Sequence, residues 1–253
     1  MGILGTGVGA ARYRTDGILF PIDVFTPEEI AAYRAAFDRF EQAEGRDRPQ
    51  ERNRARHHDQ EFAWRLATDP RLLDVMRQLI GPDLVILGTD FFCKYGDPSA
   101  DKFVAWHQDT TYWGLEPPVA HTAWIAIDDS TIENGCMRAI PGSNHGGLVT
   151  HGESERAGNI LSVNQEIPDE LVDSSGAVDV VLRAGQISIH DGHIFHSSNA
   201  NRSTSRRCGM TVRFVTPDVR MVTERSELRP VLVAGSGEGT SLPLADPPFA
   251  LSA

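Results

Sequence analysis

Lysine is nearly missing from this sequence: of 24 basic residues only Lys94 and Lys102 are Lys, and the rest are Arg. That bias points to a GC-rich, bacterial genome and carries no mechanism. Cysteine is equally sparse. Cys93, Cys136 and Cys208 are odd in number, widely spaced and form no CxxC pair, which excludes a disulfide-stapled scaffold, a zinc ribbon and a redox dithiol. A reducing cytoplasm suits them. No stretch approaches the roughly 18 apolar residues of a membrane span, and the run Leu84 to Leu87 reads as a buried strand. A secretory signal is not expected, because no basic segment precedes an apolar core of adequate length. Met1 to Thr6 match the loose myristoylation pattern without a basic neighbourhood, a match read as accidental. A basic surplus is also lacking: 35 acidic residues against 24 basic give a net charge of −11, which argues against binding to phosphate backbones. The expected partner is a small molecule, with no nucleic acid and no membrane.

What is present is an ordinary folding composition, 253 residues with 40% hydrophobic and 23% charged. A chain of this size buries roughly 70–75% of its unfolded surface, enough for a full core. The first third reads as helical. Thr26-Pro27-Glu28-Glu29 supplies a hydroxyl cap, Pro at the first helical position and Glu at the third, and Ile30, Tyr33, Phe37 and Phe40 then recur on one face. This predicts a helix over about 27–43. Asp69-Pro70 opens a second helix with Leu72, Leu73, Met76, Leu79 and Ile80 as its stripe, stopped by Gly81-Pro82. Between them, Gly45 to His58 carries Arg46, Arg48, Arg52, Arg54 and Arg56, a loop that either stays solvated or folds over an anionic substrate.

From residue 83 the chain turns to short runs rich in Val, Ile, Phe and Thr between Gly, Pro, Asn and Asp clusters. Candidate strands are 84–95, 103–109, 121–128, 137–140, 178–182, 186–191, 193–197 and 208–216. Short strands with little helix between them argue for an antiparallel barrel or double sheet rather than β-α units. One domain is expected over 1–253: a helical portion to about 82, a β core to about 216 and an irregular tail over 217–253.

The chemistry concentrates in histidine and carboxylate. On a strand, residues i and i+2 share a face, so a His-x-Asp pair can reach one metal. Chance alone supplies about one His-x-acid match in a chain with 9 His and 35 acidic residues. Three occur: His57 with Asp59, His107 with Asp109, and His151 with Glu153. The first and last fall in polar stretches and read as solvated surface. His107 and Asp109 end the apolar run Phe103 to Trp106 and have the scaffold the geometry needs. For a third ligand, His190, His193 and His196 lie close together, and strand alternation alone does not choose among them.

The ordered set Trp106-His107-Gln108-Asp109, Trp124, Glu133-Asn134-Gly135-Cys136, Ile140-Pro141-Gly142-Ser143, Phe195-His196-Ser197-Ser198 and Arg206-Arg207 resembles the phytanoyl-CoA dioxygenase family. The resemblance runs from about Arg12 to Thr216. It implies a mainly β fold with flanking helices, a double-stranded β-helix or cupin-like jelly roll with an N-terminal helical portion. It implies a non-haem dioxygenase that uses Fe(II), 2-oxoglutarate as cosubstrate and O2. By the family pattern His107, Asp109 and His196 ligate the iron, the spacing to Arg207 selecting His196. Arg207 grips the distal carboxylate of 2-oxoglutarate, with Arg206 as the alternative, and a guanidinium fork suits that task. Gln108, Trp124, Ser198 and Lys94 match positions that line or hydrogen-bond the cosubstrate. Tyr112 and Trp113 are candidate walls of the substrate pocket, with core packing as the competing role.

Hydroxylation of a C–H bond of a small organic molecule, with release of succinate and CO2, is the outcome the resemblance favours. Desaturation, epimerisation and ring closure share its first half. Related halogenases carry Gly or Ala where Asp109 stands, so an intact carboxylate argues against halogenation. A metal-dependent hydrolase or a non-catalytic jelly-roll binding protein are the readings of other classes, and neither needs Arg207.

Overall fold

The computed structural model describes residues 4, 7–45, 54–99, 101–161, 164–223 and 228–251. A helix α1 (Val8–Asp16) leads into strand β1 (Ile18–Asp23). Helix α2 (Pro27–Glu44) begins where the capping signal predicts: Thr26 accepts from the Glu29 N–H at 3.2 Å, and the Glu29 carboxylate accepts from the Thr26 N–H at 2.8 Å. Helices α3 (Glu61–Ala67) and α4 (Pro70–Ile80) follow, the latter capped by Asp69. The sequence expected α2 and α4 and missed α1, α3 and β1.

Fourteen strands are named in chain order. After β1 come β2 (Leu84–Lys94), β3 (Val104–His107), β4 (Leu115–Glu116), β5 (His121–Ala126), β6 (Met137–Ala139), β7 (Gly152–Glu153) and β8 (Gln165–Glu166). The remainder are β9 (Val178–Val180), β10 (Gln186–Asp191), β11 (His196–Ser198), β12 (Arg207–Val215), β13 (Arg220–Met221) and β14 (Val231–Ala234). They form a larger antiparallel sheet in the order β1-β10-β5-β12-β2-β14 and a smaller one in the order β3-β11-β6-β9. Short ribbons β4–β13 and β7–β8 complete the set. This is the double-stranded β-helix that the resemblance implies.

The tail corrects the expectation of an irregular 217–253. β14 pairs with β2, Val231 opposite Ile86 and Leu232 opposite Val85. Its apolar residues bury Val231 completely, which is why a four-residue run inside a Gly- and Pro-rich segment still joins the sheet.

Alternation along β12 decides what each face of the larger sheet does. Cys208, Met210, Val212 and Phe214 join the core beneath α2, α3 and α4, where Phe37, Trp64 and Met76 are fully buried. Each such side chain contributes about 1.5–3 kcal/mol of transfer free energy. Arg207, Gly209, Thr211 and Arg213 face the other way, toward the smaller sheet. The space between the sheets is apolar around Ile18, Trp124, Ala139 and Ile194 and closed at one end by Val85, Leu87, Leu115 and Val215. Its remaining lining is polar, and that is where the candidate site lies.

Candidate metal centre

His107 ends β3 and His196 opens β11, and the two are direct partners in the ladder between those strands. Their rings lie 4.0 Å apart, centroid to centroid. Each ring is oriented by its own strand. His107 Nδ1 donates to the Ala105 carbonyl at 2.9 Å and His196 Nδ1 to the Ile194 carbonyl at 3.2 Å, which turns both Nε2 atoms toward Asp109. Asp109 Oδ1 lies 3.5 Å from His107 Nε2 and 3.7 Å from His196 Nε2. The three ligand atoms are all within 4.8 Å of one another, and this is the one such cluster among the described residues.

Asp109 reaches this place by a different route from the one expected. β3 stops at His107, and Asp109 opens a short 3-10 turn over Asp109–Tyr112. Gln108 makes the break. Its side-chain amide donates to the carbonyls of Gly147 and His193, both at 2.7 Å, and its oxygen accepts from the Val149 N–H. Both amide hydrogens are therefore spent on backbone, and Gln108 is fully buried, so it pins the turn and does not face a ligand. His151, expected on the solvated surface, accepts the Gln108 backbone N–H at 3.0 Å. His57 is a second correction: it is 1% exposed, stacked against Trp64 and bonded to the Thr89 hydroxyl at 2.9 Å.

The charge states suit a cation. Burial acts to raise the Asp109 carboxyl, but its contacts with His107 and His190 more than reverse this and hold it well below the usual carboxylate range. Burial, then His107, push His196 well below the usual imidazole value. A carboxylate oxygen and two imidazole nitrogens on one side form the donor set that takes a divalent transition metal with open positions. The other two candidate histidines are engaged elsewhere. His193 Nε2 donates to the Pro118 carbonyl at 2.6 Å, and His190 Nε2 contacts the outer oxygen of Asp109, Oδ2, at 3.3 Å.

Further along the same chamber sits a pair of basic side chains. Lys94 and Arg207 face each other across β2 and β12. Arg207 is 3% exposed, donates through Nη1 to the Gly135 carbonyl, leaves Nε buried without a partner, and pairs with no carboxylate among the described residues. Burial lowers it to about 10. Lys94 Nζ donates to the Ser198 hydroxyl at 2.7 Å and to the carbonyls of Ser198 and Asn199, while burial, then Arg207, push it down to about 6. The Arg207 guanidinium lies 5.4 Å from the Trp124 ring. Arg206 points the other way, into Asp128, Asp38 and Glu41, so the alternative clamp is excluded by its own ion pairs.

Trp113 is half-buried, with the Arg213 guanidinium 5.0 Å from its ring, and it packs on the apolar cluster closing the chamber. The Tyr112 side chain lies outside the described residues, as does most of the Arg-rich stretch, Arg46, Arg48 and Arg52 included. The Arg54 backbone forms an isolated antiparallel β-bridge with that of Asp90 on β2, and the Arg56 side chain pairs with Asp59 at 2.7 Å. Sequence reasoning missed Thr122, whose hydroxyl donates to Asp109 Oδ2 at 3.0 Å and which carries no local motif.

The family model described as phytanoyl-CoA dioxygenase matches residues 13–209. The chain belongs to the phytanoyl-CoA dioxygenase family. Within the family it is 33% identical over 122 residues to the phytanoyl-CoA dioxygenase domain-containing protein 1 homolog of Dictyostelium discoideum, covering 47% of this chain and 42% of that one. It is 30% identical over 176 residues to L-proline trans-4-hydroxylase of Streptomyces griseoviridis, covering 62% and 64%. The matches thus span less than two thirds of these relatives' length. Among solved structures, the apo form of the non-heme monooxygenase ThoJ superposes with a TM-score of 0.76 at 30% identity, over 94% of this chain and 86% of that one.

Proposed function

We propose that this phytanoyl-CoA dioxygenase family member is an Fe(II)- and 2-oxoglutarate-dependent oxygenase that hydroxylates a C–H bond of a small organic molecule. The observation that carries the reading is Arg207. Burying a guanidinium without an acidic partner costs on the order of several kcal/mol, a cost retained where the missing partner is a ligand. That ligand is an anion, and it lies in the same chamber as His107, Asp109 and His196. A hydrolase that activates water on the same donor set gains nothing from such a group.

The residues fit Fe(II). His107 and His196 would hold it through Nε2 and Asp109 through Oδ1, and 2-oxoglutarate would extend from there toward Arg207. With O2, that pair supplies oxidative decarboxylation to succinate and CO2 coupled to oxygen insertion into a C–H bond. The chain's own contribution is placement. The Nδ1 bonds to Ala105 and Ile194 hold both imidazoles in one tautomer and orientation. Arg207 would hold the distal carboxylate, Lys94 and Ser198 would line the same end, and Trp124 would wall off the cosubstrate from water. The chain is similar to a hydroxylase of a small amino acid, which supports hydroxylation and a small-molecule substrate. The carboxylate at Asp109 stands against halogenation. A chain with three cysteines and no CxxC pair suits a reducing bacterial cytoplasm, and the helices, the jelly roll and β14 are read as one domain.

The test is anaerobic optical titration of the apoprotein with Fe(II) and 2-oxoglutarate. A weak visible charge-transfer band is expected, decaying on addition of O2, absent in Asp109→Ala and weakened in Arg207→Ala. Bound iron that produces no band with 2-oxoglutarate overturns the reading.

A further inference from the structure

The two oxygens of Asp109 have different surroundings. Oδ1 faces the Nε2 atoms of His107 and His196. Oδ2 turns away from them, accepts from the Thr122 hydroxyl at 3.0 Å and contacts His190 Nε2 at 3.3 Å. Thr122 and His190 are direct partners across β5 and β10, in the middle of the larger sheet, and are 1% and 2% exposed. Asp109 itself sits on a turn. Two donors on rigid, paired strands therefore grip the outer oxygen of a ligand carried by a softer element.

We propose that Thr122 and His190 form a positioning clamp that keeps Asp109 a one-oxygen ligand. This rests on the oxygenase reading above. A carboxylate can bind a metal through one oxygen or through both. Two histidines and a one-oxygen carboxylate leave three neighbouring positions open, enough for the chelating keto acid and for O2. A carboxylate bound through both oxygens removes one of these, and either O2 or one arm of the cosubstrate is displaced. Geometry at Oδ2 thus decides whether the centre can hold all its reactants at once. Thr122 donates its only hydroxyl proton to Oδ2, and His190 donates from Nε2, which makes its Nδ1 an acceptor. That Nδ1 is buried and has no partner, so the tautomer is fixed from the Asp109 side alone. The His190 ring lies 4.7 Å from that of His196, yet its nitrogen addresses the carboxylate and stands outside the three-atom cluster. It supports a ligand without being one.

The experiment measures Fe(II) affinity by anaerobic calorimetry and the 2-oxoglutarate charge-transfer band at saturating iron, so that metal uptake and chelate formation are read apart from turnover. Thr122→Val keeps the shape and removes the donor, and His190→Phe removes the other. Each is expected to weaken Fe(II) binding about tenfold, within the range seen when a metal ligand loses its outer partner, and to weaken the band beyond what lost iron explains. Thr122→Ser and His190→Gln, which restore a donor, are expected to recover both. Thr122→Val and His190→Phe proteins with wild-type melting, affinity and band overturn the clamp and leave the oxygenase reading intact. Wild-type protein that takes up no Fe(II) overturns both.

Discussion

Gly209 leaves its side-chain space to Trp124: a Cβ built there would overlap the indole ring, which lies across β12 next to Arg207. The wall of the clamp therefore depends on a residue without a side chain one strand away. Gly209→Ala is expected to displace the indole, destabilise the fold by about 1–3 kcal/mol as overpacked cores do, and weaken 2-oxoglutarate binding. Thermal melting and the anaerobic titration read the two effects, and a variant unchanged in both would show that the ring has somewhere else to go.

Arg207 separates stability from binding. Replacing an unpaired buried charge with an apolar chain of similar length is often neutral or stabilising, so Arg207→Met is expected to melt at or above the wild-type temperature. Its 2-oxoglutarate affinity is expected to fall about 10–100-fold, the worth of a charge-assisted pair. A fall in both would make Arg207 a structural residue.

Lys94 gives the cosubstrate a pH dependence. Burial and Arg207 push it down to about 6 in the free protein, and a bound dianion would raise it again. The bound-state value then exceeds the free-state value, so the proton-linked part of the affinity is complete below about pH 6. It is lost as pH rises above that, because each binding event must then take up a proton. Calorimetry at roughly pH 7 to 8 in buffers of different ionisation enthalpy is expected to show proton uptake, absent in Lys94→Met. Equal uptake in both proteins would assign it to another group.

The cap of α2 is a control far from the chamber. Thr26→Ala removes the acceptor for the Glu29 N–H and is expected to cost about 1 kcal/mol of stability, with Fe(II) and 2-oxoglutarate binding unchanged. Chemical denaturation checks the first and the titration the second.

Legibility followed locality. α2 and α4 announce themselves because cap, first-turn Pro and apolar stripe all sit within a few residues of one another. α3 does not, since at seven residues it makes only two turns, too few for Ala63, Trp64, Leu66 and Ala67 on one side and Glu61 and Arg65 on the other to set a period. At the centre, His107, Asp109 and His196 are legible in an ordered motif set, but the strand face expected to carry Asp109 ends before Gln108. The outer partners of Asp109 were out of reach because Thr122 and His190 lie 13 and 81 residues away and meet it only through sheet pairing. His57 and His151 depart from the surface expectation for the same reason. Their polar neighbours in sequence gave no sign of Thr89 and Gln108, the groups they bond in space.

β14 also has a bearing on how the molecule behaves in company. Without it, the Leu84 to Ile86 end of β2 would present a fully apolar margin of unpaired amides and carbonyls, the kind of template on which other chains add strands and fibrils start. Four residues near the C-terminal end cover it, and Gly235, at positive φ, turns the backbone away directly afterwards. Trimming the chain before Val231 would thus be felt first as insolubility, well before any loss at the metal centre.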